Sequence, residues 1–225
     1  MNYELQTYPD REALILRLAS RLAGDLRAAL ARAERVAFAV PGGTTPGPVF
    51  DDLCAVDLDW ARVDVMLTDE RWVPEDSDRS NTRLLRERLL VEKAAAARLL
   101  PMYLPCTTPE ERIDEIAEKI RPELPLSVVL LGMGADMHTA SLFPGADRLE
   151  EALSRNAPIL LPMRAEGAAE PRVTLTAPVL NGALAKHILI MGPEKRAALE
   201  NARGKPVSEA PINAVLDGAI VHWTE

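Results

Sequence analysis

One short segment of the chain combines glycines, an aspartate and a histidine in a pattern that suits acid–base chemistry. It reads LLGMGADMHTASLFPG and covers residues 130–145, with Asp136 two positions before His138. A neutral imidazole can take a proton from water near pH 7 and return it later in a reaction. We therefore consider His138 a candidate general base or acid, with Asp136 beside it. The alternative is a structural histidine.

Two other interpretations of this segment have less support. A dinucleotide-binding fingerprint needs a glycine at the position of Met137 in GMGADM. A metal site needs further ligands, and His187 and His222 are remote in sequence and lie within or beside apolar segments. We expect these two histidines to be structural, and we expect neither a metal ion nor a cofactor.

A glycine loop provides a second candidate, a site for phosphate. In PGGTTPG, residues 41–47, Gly42 and Gly43 allow backbone N–H groups to converge at the start of a helix, where the helix dipole adds positive potential. Thr44 and Thr45 add hydroxyl groups. The alternative is a tight turn in which Thr45 serves as the helix N-cap. The lysine of the GxxxxGK[ST] loop is missing, so we do not expect a nucleoside triphosphate.

A charged cluster directly follows an apolar segment further along the chain. Asp69, Glu70 and Arg71 stand at the end of VDVMLT. The planar guanidinium of Arg71 suits a phosphate or carboxylate, because it can donate to two oxygens at once. The alternative is an internal ion pair among these three residues, or between Arg71 and Asp136.

Amphipathic and apolar segments alternate along the chain and must position these residues. Leucines at every fourth position from Leu14 to Leu30 predict a helix with Asp10 as its N-cap. Thr108 and Glu111 have capping-box spacing before another helical segment. The segments that we predict as strands are residues 35–40 and 63–67, the apolar stretch before His138, and PILLPM, RVTLT, HILIMG and GAIVHW.

This alternation predicts an α/β fold with a mostly parallel sheet covered by helices on both faces. Four predicted strand exits carry unusual residues: PGGTTPG, TDERWVP, GMGADMHTASLFPG and MGPEK. Because the carboxyl ends of parallel strands lie at one edge of a sheet, we expect these segments to converge on one crevice. No linker-like segment divides the chain, so we predict one domain over residues 1–225.

The composition limits the classes of partner. The net charge of −8 argues against binding to nucleic acid or to an anionic membrane surface, so positive charge for a phosphate must be local. Cys54 and Cys106 have no metal or disulfide spacing. We find no secretory signal and no apolar run near the roughly 18 residues that span a bilayer. We expect a cytoplasmic protein that is a monomer or a small homo-oligomer.

Taken together, PGGTTP, TDERWVPEDSDRSNTRLLRERLL and LLGMGADMHTASLFPG resemble the 6-phosphogluconolactonase family in order and spacing. RVTLTAPVLNGA and ILIMGPEKRAAL are similar to later segments of that family, so the resemblance covers essentially the whole chain. It implies the Rossmann-type fold shared with sugar-phosphate isomerases and glucosamine-6-phosphate deaminase. It also implies hydrolysis of 6-phosphoglucono-δ-lactone to 6-phosphogluconate in the oxidative pentose phosphate pathway, without a metal.

The resemblance further implies roles for particular residues. His138 would activate water, Asp136 would lie nearby, and Arg71 would bind a substrate oxygen or stabilise the oxyanion. The residues implied for substrate binding are Gly42, Gly43 and Thr44 as a phosphate loop, with Thr45 beside it, Arg172 and Lys195 as positive charges, and Asn81, which matches a motif position without an assigned task.

Two alternatives remain open on these residues. In a sugar-phosphate deaminase or isomerase, Asp69 would move a proton between C1 and C2, but the acidic residue that the deaminase pattern has after the histidine is missing from residues 139–144. In a non-catalytic sugar-phosphate sensor, Met137 would be the substitution that removed catalysis while the pocket remained, because the family usually has glycine there. If that position has a positive φ, methionine is strained by about 1 kcal/mol or more.

Overall fold

The computed structural model describes residues 2–166 and 168–225. The strands are β1 (Glu4–Thr7), β2 (Val36–Val40), β3 (Val63–Leu67), β4 (Asp69–Arg71), β5 (Arg98–Leu99), β6 (Val128–Gly132), β7 (Leu160–Met163), β8 (Arg172–Leu175), β9 (Ala185–Met191) and β10 (Ile220–Thr224). The helices are α1 (Arg11–Leu30), α2 (Gly47–Cys54), α3 (Asn81–Arg88), α4 (Ile113–Ile120), α5 (Leu149–Leu153), α6 (Ala177–Asn181) and α7 (Pro193–Ala202).

The larger sheet has seven parallel strands in the order β1-β10-β9-β6-β2-β3-β5, which confirms the predicted mostly parallel α/β fold. From β2 the chain continues to β3 on one side, whereas from β6 it continues within this sheet to β9 on the other side. The gap between the carboxyl ends of β2 and β6 is therefore a topological switch point, where α/β proteins bind ligands. The loop after β2 carries the two glycines, and the loop after β6 carries His138.

The apolar pattern of the sequence produces this sheet and its covering helices. Every residue of β2 and β3 is buried, as expected for strands with both faces covered. The leucine stripe of α1 is buried as predicted, and the carboxylate of Asp10 caps the helix by accepting a hydrogen bond from the backbone N–H of Ala13 at 2.8 Å. The predicted helix, its buried face and its N-cap are therefore confirmed.

A second sheet was not predicted. It has three antiparallel strands in the order β4-β8-β7, so PILLPM and RVTLT are strands but do not extend the parallel sheet. Only Thr68 separates β3 from β4, which is too short a connection for a parallel neighbour. The chain instead leaves the large sheet, and the N–H of Leu175 donates to the carbonyl of Thr68 at 2.9 Å.

The structure corrects one helix cap and qualifies another. The prediction of Thr45 as the N-cap of α2 is wrong, because Pro46 holds that position with helical backbone angles and no side-chain hydrogen bond. The capping box of Thr108 and Glu111 is present. It closes a short 3₁₀ turn, and α4 begins only at Ile113.

Candidate active site

A cavity of about 280 Å³ opens at the predicted crevice, between the loops that follow β2 and β6 and the ends of β4, β8 and β9. It brings together residues from all four predicted strand exits. The predicted site residues that line it are Gly42, Gly43, Thr45, Asp69, Arg71, Asn81, His138, Arg172 and Lys195. Thr44 is exposed outside the lining, and Asp136 contacts the cavity only through His138.

His138 and Asp136 form a close pair at the mouth of the cavity. Nδ1 of His138 lies 2.5 Å from Oδ1 of Asp136, which also accepts from the backbone N–H of His138 at 3.2 Å. In the neutral imidazole, the tautomer with the proton on Nδ1 can donate to this carboxylate and leaves the lone pair on Nε2. Gly134 permits this approach, because a Cβ there would lie 2.1 Å from His138 Nδ1. Nε2 of His138 has no hydrogen-bond partner within residues 2–166 and 168–225, so it is the ring nitrogen that can act on a ligand.

Met137 adopts the left-handed conformation that glycine favours, with φ +67°. For a methionine this costs about 1 kcal/mol. Hydrogen bonds hold the loop in shape: Met137 N–H donates to the carbonyl of Gly134, and Ile212 N–H donates to the carbonyl of Met137, both at 3.0 Å. The loop consequently keeps His138 at the cavity despite the substitution.

Two arginines on neighbouring antiparallel strands lack partners for their inner nitrogens. Arg71 of β4 pairs in register with Arg172 of β8, and the buried Nε atom of each has no hydrogen-bond partner among the described residues. Arg71 Nη1 donates to the carbonyl of Arg79 at 2.6 Å, and Arg172 Nη1 lies 3.8 Å from Asp69 Oδ2. Burial lowers the pKa of Arg172. Unpaired guanidinium donors beside a cavity are suited to an anionic ligand.

The alternative interpretation of Arg71 is not supported. Within residues 2–166 and 168–225 no ion pair joins Arg71 to Asp69, Glu70 or Asp136. The carboxylate of Asp69 instead accepts from the hydroxyl of Ser141 at 2.6 Å and from that of Thr68 at 3.1 Å. Two hydroxyl groups thus hold Asp69 in place, with Arg172 further away at 3.8 Å, while Arg71 keeps donors available for a ligand.

Glu70 has a positioning role that the sequence did not indicate. Its buried carboxylate accepts from the backbone N–H groups of Arg71, Asn81 and Thr82 at 2.7–2.8 Å and from the hydroxyl of Thr82 at 2.7 Å. Burial raises its pKa despite these bonds. Glu70 thereby anchors the first turn of α3 to β4. Glu70 and Asn81 are eleven residues apart in sequence, and no local sequence pattern predicts such a contact.

Asn81 is held at the cavity by this anchor. Its Nδ2 donates to the carbonyl of Asp69 at 3.0 Å. A Cβ on Gly42 would lie 2.0 Å from Asn81 Cγ, so only glycine fits there. Gly43 has φ +87°, a second requirement for glycine in the loop. Lys195 approaches from the first turn of α7.

The described part of the chain, residues 2–166 and 168–225, contains no cluster of three or more His, Cys, Asp or Glu side chains that could hold a metal ion. Over the same residues, no helix combines the length and the apolar character that crossing a membrane requires.

Comparisons with known proteins identify the family and the fold. Residues 9–223 match the family described as glucosamine-6-phosphate isomerases/6-phosphogluconolactonase. The chain is 44% identical to a 6-phosphogluconolactonase of Mesorhizobium japonicum, with 97% of this chain and 92% of the relative covered, and 42% identical to one of Rhizobium meliloti, with 99% of each covered. Its fold matches the crystal structure of a 6-phosphogluconolactonase from Shewanella baltica with a TM-score of 0.95 at 32% identity, covering 100% of this chain and 98% of the other. The chain belongs to the glucosamine-6-phosphate isomerase/6-phosphogluconolactonase family.

Proposed function

We propose that this protein hydrolyses 6-phosphoglucono-δ-lactone to 6-phosphogluconate. The observation that carries the proposal is the His138–Asp136 pair beside a cavity that two arginines also line, whose Nε atoms have no partner in the part of the chain that the structure describes. A base next to unpaired positive charge suits the addition of water to a carbonyl of an anionic sugar. A cytoplasmic location, a place in the oxidative pentose phosphate pathway and a monomeric or small homo-oligomeric state belong to the same proposal.

The mechanism begins with proton transfer to His138. Its Nε2 takes a proton from water while the water oxygen bonds to C1 of the lactone, which forms a tetrahedral oxyanion. The imidazolium, stabilised by Asp136, then returns the proton to the ring oxygen as the bond from C1 to that oxygen breaks. Positioned proton transfer of this kind is worth about 10² to 10⁴ in rate.

The positive groups of the cavity divide between the two ends of the substrate. Arg172, Lys195 and the backbone N–H groups of Gly42 and Gly43 hold the phosphate, which orients the lactone relative to His138. The oxyanion needs a donor that is already in place, and either Arg71 or a backbone N–H of the loop supplies it.

Sugar-phosphate deamination is the competing function. It would need Asp69 to move a proton between C1 and C2, but Ser141 and Thr68 donate to both oxygens of that carboxylate. Residues 139–144 supply no acidic group beside His138. Neither observation favours the deaminase.

The test is hydrolysis of freshly generated 6-phosphoglucono-δ-lactone above the spontaneous rate. We expect Arg172→Met to raise KM for this lactone about 10- to 100-fold, because charge-assisted hydrogen bonds to the phosphate are lost. The KM for the unphosphorylated glucono-δ-lactone should not change. Arg203→Met is the matched control, because Arg203 is exposed and contacts Tyr3 away from the cavity.

Four results would contradict the proposed activity or the proposed role of Arg172. If the wild-type protein does not accelerate hydrolysis of the lactone, it is not a lactonase. If it then binds 6-phosphogluconate without turning over the lactone, it is the non-catalytic sugar-phosphate sensor. Release of ammonia from glucosamine 6-phosphate would establish the deaminase. An equal KM increase for both lactones in Arg172→Met would remove Arg172 from the phosphate site.

A further inference from the structure

Phe143 lies behind the cavity and contacts two residues that line it. Its ring centroid is 4.4 Å from that of His138, with an angle of 41° between the ring planes. The guanidinium carbon of Arg172 is 5.2 Å from the same Phe143 centroid. Phe143 itself is half-buried and does not line the cavity. One aromatic ring therefore joins the proposed base to a proposed phosphate ligand.

The backbone before Phe143 is fixed from several directions. The hydroxyl of Thr139 donates to the carbonyl of Gly132 at the end of β6, at 2.9 Å. Ser141 is tied to Asp69, and Leu142 is fully buried in the core. These contacts tie the backbone before Phe143 to both sheets, so the ring of Phe143 is a defined surface against which the side chains of His138 and Arg172 pack.

The chemistry of the ring suits both neighbours. An aromatic face carries negative potential and attracts a guanidinium. Arg172 has few other partners among the described residues: its Nε has none, and its Nη1 lies 3.8 Å from Asp69 Oδ2. The ring also limits the orientations of the His138 imidazole, whose Nδ1 must remain on Asp136 if Nε2 is to act on the substrate. During the proposed reaction His138 becomes a cation, which the same ring attracts.

We propose that Phe143 is a positioning residue that sets the orientation of both His138 and Arg172, and so couples the base to the phosphate site. This inference rests on the proposed lactone hydrolysis. It predicts that loss of the ring affects turnover through His138 and substrate affinity through Arg172. A purely structural residue would not divide its effects in this way.

The kinetic test compares Phe143→Leu, which keeps apolar volume but removes the ring, with Phe143→Tyr, which keeps the ring. For the phosphorylated lactone, we expect Phe143→Leu to lower kcat about tenfold and to raise KM about threefold. For glucono-δ-lactone, kcat should fall equally while KM stays constant. Phe143→Tyr should restore both constants to within about twofold of wild type. Phe38→Leu, in the core strand β2, is the control for loss of a ring elsewhere.

Two measurements do not depend on turnover and separate this inference from the proposed function. The ring current of Phe143 should displace the NMR signal of the His138 Cε1 proton, identified by its loss in His138→Asn. The displacement should vanish in Phe143→Leu and persist in Phe143→Tyr. By calorimetry, affinity for 6-phosphogluconate should fall about threefold in Phe143→Leu and return in Phe143→Tyr.

The inference would be overturned if Phe143→Leu had the same kcat, KM, NMR shift and affinity for 6-phosphogluconate as the wild type. It would also be overturned if Phe143→Leu and Phe143→Tyr lost these properties to the same extent. If Phe143→Leu does not fold, Phe143→Met carries the same measurements with similar side-chain volume. If the wild type has no lactonase activity, the proposed function fails, whereas the ring-current and affinity measurements still decide the position of Phe143.

Discussion

The described residues, 2–166 and 168–225, include two histidine–aspartate pairs that have the same chemistry and opposite surroundings. Nδ1 of His138 lies 2.5 Å from Asp136, and Nε2 of His187 lies 2.9 Å from Asp25. The His138 side chain is 30% exposed and lines the cavity, whereas the His187 side chain is 1% exposed between β9 and α1. The carboxylate alone therefore does not make a histidine a candidate base.

The second ring nitrogen accounts for the difference. Nδ1 of His187 hydrogen-bonds Nε2 of His222 at 3.0 Å, and Nδ1 of His222 bonds the hydroxyl of Tyr8 at 2.8 Å. Every nitrogen in this buried chain has a partner, as the sequence-based prediction of structural histidines requires. Within residues 2–166 and 168–225, His138 is the histidine with a ring nitrogen, Nε2, that has no hydrogen-bond partner.

The largest expected effect is on turnover when the exposed pair is broken. His138→Ala should lower kcat about 10² to 10⁴-fold, because it removes the proton acceptor. Its free energy of unfolding should stay within about 0.5 kcal/mol of wild type, as for other partly exposed positions. Rate measurements check the expected kcat, and urea denaturation of the same preparation checks the expected free energy of unfolding. A near-normal kcat would transfer the role of base to another residue.

The buried pair should make stability depend on pH. Burial, followed by the charges of His187 and Arg21, lowers the pKa of His222 from 6.5 to about 3. Between these values the unfolded chain binds a proton that the folded chain does not, so stability falls as pH decreases from about 6.5 towards about 3. The slope attributable to His222 is at most about 1.4 kcal/mol per pH unit. Denaturation at several pH values should show a shallower dependence in His222→Gln, and identical slopes would contradict the assignment.

Breaking the buried pair should have the opposite effects to those expected for His138→Ala. His187→Asn leaves Asp25 and His222 without their partner and should lower the free energy of unfolding by about 2–3 kcal/mol. The folded fraction should retain wild-type kcat and KM, because His187 does not line the cavity. Urea denaturation with activity assays under native conditions tests this. A loss of kcat at unchanged stability would mean that the two pairs are coupled.

The parts that could be predicted from the sequence are those with a local signature. The leucine stripe of α1 with its Asp10 cap follows from helical periodicity, and His138 was found because a strand exit places it at the sheet edge. The second sheet and the contact of Glu70 with α3 depend on residues far apart in sequence. The N-cap of α2 was misplaced because Pro46 competes with Thr45 for the position.

The smallest expected effect concerns backbone strain. The loop that carries His138 contains a residue in a strained conformation, whereas His187 lies in a regular strand. Met137 has φ +67°, where glycine is unstrained and alanine is not. Both Met137→Gly and Met137→Ala lose the packing of the side chain beyond Cβ, but only glycine relieves the strain. After the greater chain entropy of unfolded glycine is subtracted, we expect the glycine variant to be more stable by about 0.5–1 kcal/mol. At Ala185 in β9, two residues before His187, glycine should instead be less stable than alanine by about 0.5–1 kcal/mol. Denaturation of the three variants and the wild type gives both differences. If alanine is the more stable residue at position 137 as well, the loop does not store strain, and the contrast between the two pairs lies in their hydrogen bonds alone.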